Sequence, residues 1–283
     1  MSQVTDFAAP IEEELLPEAG RTNWVERLRR FVPAAALFGL VLVVWEAAVN
    51  VFQIEGFLLP RPSVIAVTFI RESPVAFGAA LFTMRNAVGG FIIGSVLGIL
   101  VALATARWTA VSEGLLPFAI AVNATPIIAL APVMNQWFGI TNPMSKMSVI
   151  ALIVFFPVMI NMVRGLTQVE AGALELMRSY AASEFAILFG VRIPNAFPYL
   201  FSAFKVGSSL AVIASIVSEY FGGLGPQDAL GAYISRQASL FHFAEAWAAI
   251  IVACLTGIAF YAVILVVERL AMPWHVSLRT TEE

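Results

Sequence analysis

The 283-residue chain is 60% hydrophobic and only 12% charged, with a mean hydropathy of +0.86, more apolar surface than one water-soluble core of this size can hide. Lipid is therefore the solvent for much of it, and a net charge of −3, with acids gathered at the two ends (Glu12, Glu13, Glu14 and Glu18 at the first), leaves no case for nucleic acid as a partner. The single cysteine, Cys254, allows no disulfide within one chain, and His242 and His275 stand far apart without a cysteine or histidine cluster, so no structural zinc site is expected.

An acidic tail of about 20 residues comes before Arg21, Arg27, Arg29 and Arg30, unlike the basic start of a cleaved leader, so the first apolar stretch is expected to be a retained span. Six spans of about 20 residues follow: Ala34–Phe52, Thr83–Ala106, Phe118–Gly139, Met144–Val163, Tyr199–Tyr220 and Trp247–Val267. The chain thus reads as an all-α integral membrane protein, with tails at 1–30 and 273–283 around a membrane domain at 31–272. Between the first two spans, Pro60–Ser73 opens on Pro-Arg-Pro-Ser, a proline and N-cap start read as a short interfacial elbow. With the N-terminus inside, ten arginines fall on inner segments against five Arg and Lys on outer ones, a bias that places both termini in the cytoplasm.

The second span carries small residues at every fourth position, Gly90, Gly94, Gly98, Ala102 and Ala106, which let another helix approach closely. The fifth repeats the device with Ala203, Gly207, Ala211 and Ser215, and the next position on that strip is Glu219, whose carboxylate must face protein or a watery cavity. Pro126 and Pro132 are expected to kink the third span.

Between spans four and five, Gly165–Phe197 holds a concentration of charged and polar residues rare in this chain. Leu174, Met177, Ala181, Phe185 and Leu188 recur at three- and four-residue steps, one apolar stripe of a helix. Glu175 and Arg178, three apart on the polar side, can pair. The expectation is an amphipathic cytoplasmic helix, too polar to cross the membrane.

This stretch resembles the signature loop of ATP-binding-cassette importer permeases: Glu-Ala-Ala, three residues, Gly, nine residues, Ile, any residue, Leu-Pro. Glu175, Leu176 and Met177, then Ala181, then Val191, Ile193 and Pro194 keep that spacing, with both alanines and the glycine replaced. Further blocks, at 59–63, 125–132, 137–140, 156–161 and 218–225, look like the nitrate, sulfonate, taurine and bicarbonate branch, which also includes importers of pyrimidine vitamin precursors and riboflavin. The resemblance implies a type I importer permease fold, multi-pass in a bacterial inner membrane. It implies that the loop at 165–197 forms a coupling helix docking on a cytoplasmic ATPase, with Glu175, Arg178, Ala181, Ala182, Ser183 and Pro194 making or shaping the contact.

A phosphate-cradling loop needs lysine after glycine and before Ser or Thr, and the two lysines, Lys146 and Lys205, follow Ser145 and Phe204. The chain is therefore expected to be no enzyme and to bind no cofactor. The resemblance places ATP and Mg in a partner ATPase dimer, with a second permease copy and a periplasmic substrate-binding protein completing the importer. Ionisable residues in spans are functional candidates because burying them is costly: Glu219 first, then Glu46, Arg85 and Lys205. Asn123, Asn161 and Ser209 offer hydrogen bonds to a pathway or to a neighbouring helix. A stand-alone secondary carrier would show repeats with matching broken helices, and none is visible; a membrane scaffold is the other alternative. A heteroaromatic vitamin precursor or a small anion is the expected solute.

Overall fold

A computed structural model describes residues 24–107, 127–221 and 229–273, and every regular element among them is helical. Helix α1 (Trp24–Val51) leads to α2 (Pro62–Arg107), and a 3-10 turn at Ile127–Leu130 runs into α3 (Ala131–Phe138). Helix α4 (Pro143–Thr167) is followed by two short helices, α5 (Ala171–Ser179) and α6 (Glu184–Ile187), and by one π turn at Leu188–Arg192. Helices α7 (Ile193–Tyr220), α8 (Leu230–Ser239) and α9 (Phe243–Ala271) complete the order.

Five of these segments are long and apolar enough to cross a membrane: 32–51, 62–106, 143–167, 184–220 and 243–271. The third expected span, Phe118–Gly139, is described only from Ile127 onward, and Pro126 lies outside the described residues. Pro132 does not kink a helix there; it sits in the first turn of α3, where its missing N–H is needed by nothing.

The expected elbow is not a separate helix. Residues 62–73 form the first turns of α2, which runs for 46 residues through Pro74. Ser63 is inside the first turn rather than capping it, and the cap comes from α1: the carboxylate of Glu46 accepts from Ser63 N at 3.1 Å and from its hydroxyl at 2.8 Å. An acid at a helix start satisfies backbone donors that have no partner in the helix. That contact and the Trp45–Trp247 ring pair, 5.2 Å between centroids, tether α1, whose apolar surface is otherwise almost wholly exposed on the single chain.

The core is a sandwich of α2, α4 and α7 closed by α9, centred on Phe91, Ile150, Val154, Met159, Ala211 and Phe260. The small-residue strip of α2 does what its spacing predicts. At Gly94 a β-carbon would collide with the Ala151 carbonyl of α4, so backbone lies directly on backbone. The strip of α7 is buried throughout, and it delivers Glu219 into the protein at 3% exposure.

Helix α8 had no counterpart in the sequence reading. It fills the gap between α7 and α9 with Leu230 and Tyr233, which cluster with Ala76, Ala79 and Ala80 of α2. Two ion pairs then mark levels along α9. Arg71 of α2 meets Glu245 at 3.2 Å near its start, and Lys205 of α7 meets Glu268 at 2.9 Å near its end. These acids are twenty-three residues apart, about 35 Å along a helix rising about 1.5 Å per residue, close to the roughly 30 Å of a hydrocarbon layer.

Candidate functional site

The segment between α4 and α7 is a bent hairpin and not the single helix its apolar stripe suggested. Helix α5 stops at Ser179 because Ala181 adopts φ 53°, the left-handed region. Ala182 N then donates to Met177 O at 3.0 Å and Ala181 N to Arg178 O at 2.9 Å, the paired bonds that close a helix end. Position 181 is where the importer pattern carries glycine, and the backbone explains why: a left-handed residue costs a side chain about 1–2 kcal/mol and glycine almost nothing. Ser183 restarts the chain as the N-cap of α6, its hydroxyl accepting from Ala186 N at 3.2 Å.

The break redistributes the stripe. Leu174, Met177 and Leu188 are half-buried, Ala181 and Phe185 are exposed, and Ile187 takes the buried position at 1% exposure. Glu175 and Arg178 do not pair; among the described residues neither side chain has a partner. Glu175, Arg178, Ala181 and Ser183 therefore stand exposed at one tip, with Ala182 half-buried beside them. Pro194 lies elsewhere, exposed in the first turn of α7, where it begins the return into the bundle.

The base of this hairpin is stapled by a residue the sequence reading passed over. Asn195 Nδ2 donates to Gly165 O at 2.8 Å and to Gln168 O at 3.1 Å, closing the last carbonyls of α4 with a side chain from α7. Tyr199 adds a hydroxyl contact to Gln168 at 3.3 Å. Arg192 reaches the Ala106 carbonyl at the end of α2, 3.5 Å away. These bonds tie the base of the hairpin to the ends of α4, α7 and α2.

Glu219 forms the second polar centre. Its carboxylate accepts from Thr83 Oγ1 at 2.8 Å, Ser215 Oγ at 2.9 Å, Asn86 Nδ2 at 3.1 Å and Gly231 N at 3.2 Å. Thr83 Oγ1 in turn accepts from Leu230 N at 3.0 Å. A β-carbon on Gly231 would strike the Ile216 carbonyl and come within 2.7 Å of Glu219 Cβ, so only glycine lets α8 donate to the acid this way. Four donors satisfy a carboxylate that would otherwise be untenable so deep, and Glu219 binds α2, α7 and α8 into one unit. Asn86 and Thr83 lie one and two turns before Gly90 on the same strip of α2, a position the spacing gives, whereas their contact with Glu219 comes from the crossing of the helices.

The other pathway candidates do not join this centre. Asn161 is half-buried and donates to Pro157 O in its own helix at 2.8 Å. Ser209 is exposed on α7, and Asn123 lies outside the described residues. Lys146 is buried at 5% exposure beside the acid's site, its ammonium donating to Asn135 Oδ1 at 3.1 Å and to the Ile140 carbonyl.

Comparisons with known proteins agree with this architecture. The model of the family "binding-protein-dependent transport system inner membrane component" matches residues 94–273. The chain is 30% identical to a riboflavin transport system permease of Chloroflexus aurantiacus, over 94% of this chain and 100% of that protein. It is 29% identical to a formylaminopyrimidine transport permease of Halalkalibacterium halodurans, over 84% and 94%, and 24% identical to a putative aliphatic sulfonates permease of Bacillus subtilis, over 92% and 91%. A crystal structure of an amino acid ABC transporter superposes with TM-score 0.58 at 16% identity, covering 72% of this chain and 97% of that one, a likeness of fold. An all-helical bundle with apolar helices of membrane-crossing length and the importer spacing at 175–194 matches these relatives along most of its length, and the chain belongs to the family of binding-protein-dependent transport system inner membrane components, as an ABC importer permease subunit for small solutes.

Proposed function

We propose that this chain works as one of two identical permease subunits, docked by residues 175–183 on a cytoplasmic ATPase dimer that holds the ATP and Mg, and fed by a periplasmic substrate-binding protein. Both termini are cytoplasmic in this reading, with the membrane domain at 31–272. The observation that carries it is the exposed tip at Glu175–Ser183 on a hairpin stapled to three membrane helices by Asn195 and Arg192. Closure of the ATPase pair moves the tip, the staples pass the motion to α4, α7 and α2, and the bundle rocks between inward-open and outward-open states. The Glu219 centre keeps α2, α7 and α8 moving as a body. Ser209, exposed on α7, and Asn161 supply polar positions to the wall of the pathway.

The solute is a nitrogen heterocycle of the vitamin-precursor kind in the first instance, because the riboflavin and formylaminopyrimidine permeases align over more of their own length than the sulfonate permease and at higher identity. A small oxyanion is the second reading, carried by that sulfonate relative. Co-expression with the cognate ATPase tests the docking: the wild-type chain is expected to co-purify with it, and Glu175→Arg or Ala181→Trp to lose transport while ATP is still hydrolysed. Transport untouched by either change would overturn the assignment.

A further inference from the structure

Helix α5 turns two large apolar side chains outward. Leu176 is 57% exposed and Tyr180 78%, four residues apart on one face of the helix and its C-cap. Most exposed apolar residues of this chain lie in the segments of membrane-crossing length, where lipid accounts for them, and Phe185 and Phe189 of the same hairpin fall in the segment at 184–220. Residues 168–183 belong to none of those segments, and Glu170, Glu175 and Arg178 stand exposed beside the pair. A hydrocarbon layer therefore gives no reason for Leu176 and Tyr180 to face outward, and an exposed apolar patch among charges marks a contact with another protein.

The importer spacing singles out the same position. Where the pattern carries two alanines after its glutamate, this chain carries Leu176 and Met177, and the structure gives the two replacements different surroundings. Met177 is half-buried and reaches the π turn, where a β-carbon on Gly190 would stand 3.8 Å from its Cε. Its bulk packs the two arms of the hairpin together. Leu176 is exposed, so its bulk over alanine enlarges the outer face. The backbone beneath the pair is fixed: Leu176 O accepts from Ser179 Oγ at 2.7 Å and from Tyr180 N at 3.2 Å, and Ala182 N donates to Met177 O at 3.0 Å. Side chains on a backbone already held in place bind with little further loss of freedom.

Resting on the permease reading, we propose that Leu176 and Tyr180 are the apolar anchor by which the hairpin selects its own ATPase, with Glu175 and Arg178 forming the polar rim. Interfaces take most of their binding energy from a few side chains seated in pockets, aromatic ones above all, and little from charges at an exposed rim. The partner surface is a groove on the ATPase with an apolar hollow that accepts a leucine. A groove matched to the two-alanine pattern has room at that point for a methyl group, and Leu176 clashes with it. One residue thus admits the right ATPase and rejects the wrong one.

The test titrates purified ATPase onto the whole permease in lipid nanodiscs and reads the dissociation constant. Two ATPases are used, the cognate one and one from an importer whose permease carries the two alanines. Leu176→Ala and Tyr180→Ala are each expected to weaken the cognate ATPase by about tenfold, and Leu176→Met, which keeps the bulk, to retain most of the affinity. Glu175→Gln and Arg178→Gln are expected to weaken it less than either alanine variant. In Leu176→Ala the preference for the cognate over the other ATPase is expected to fall by about tenfold. Hydrogen exchange at the amides of Ala181 and Ala182, recorded for every variant, is expected to match wild type and so to exclude a melted hairpin as the cause. Cognate binding that neither alanine variant weakens would assign the pair to the bilayer surface or to a second copy of the chain and overturn the proposal. So would charge variants that weaken binding more than the apolar ones, a preference unchanged in Leu176→Ala, or faster exchange in every weakened variant. A wild-type chain that binds no ATPase at all would instead sink the permease reading, and this separates the two failures.

Discussion

The side-chain amide of Asn195 lies 2.8 Å from the carbonyl of Gly165, so the helix that enters the hairpin at 171–192 and the helix that leaves it are joined at the base. With its second bond to Gln168, this residue makes two of the hydrogen bonds that hold the hairpin base, beside those of Tyr199 and Arg192. Asn195→Ala is expected to cost about 2 kcal/mol of local stability at about 1 kcal/mol per bond, and to lower transport per ATP hydrolysed several-fold while ATPase binding persists. Paired measurements of uptake and phosphate release on the reconstituted complex check it; an unchanged ratio would show that the staple carries no force.

At Ala181 the backbone asks for a residue the sequence does not supply. Ala181→Gly removes the left-handed penalty of about 1–2 kcal/mol and returns part of that through the freer unfolded chain. The expected net gain is under about 1 kcal/mol, seen as slower hydrogen exchange at the amides of Ala181 and Ala182. Ala181→Val, branched at a position with φ 53°, is expected to speed exchange there and to weaken ATPase docking.

Glu219 was legible as buried, because the strip Ala203, Gly207, Ala211 and Ser215 points to it at four-residue steps. Its partners were not, because Thr83, Asn86 and Gly231 are brought to it by the crossing of α2, α7 and α8, and sequence periodicity describes one helix at a time. The hairpin shows the same limit. The three- and four-residue rhythm from Leu174 to Leu188 is real, yet the turn at Ala181 breaks it, and an alanine gives no warning of positive φ. In α2 the proline start at Pro62 was visible, whereas the cap from Glu46 depends on how the preceding helix α1 folds back beside it.

Substituting Glu219→Ala should leave Thr83, Asn86 and the Gly231 amide without an acceptor in a buried setting, each lost partner costing about 1–3 kcal/mol. The expected outcome is a large fall in the thermal midpoint of the purified complex, with Glu219→Gln intermediate because its amide brings one donor against donors. A midpoint within a degree or two of wild type in Glu219→Ala would remove the acid from its structural role.

The Lys205–Glu268 pair is the one ion pair that joins α7 to α9 among the described residues. Lys205→Met strands Glu268, which is 6% exposed, and is expected to cost about 3–5 kcal/mol, whereas the double change Lys205→Met with Glu268→Met recovers most of it, since replacing a buried pair by apolar residues is near neutral. A double variant no better than the single one would mean the two charges act independently.

The most direct test asks which polypeptide touches residues 175–183. In the Cys254→Ala chain, a single cysteine at Glu175 or Ala182 should cross-link to the cognate ATPase in inside-out vesicles and resist an impermeant thiol reagent applied from outside the cell. Labelling from the outer face, or vesicles in which that cysteine reaches the membrane surface but never the ATPase, would contradict the account.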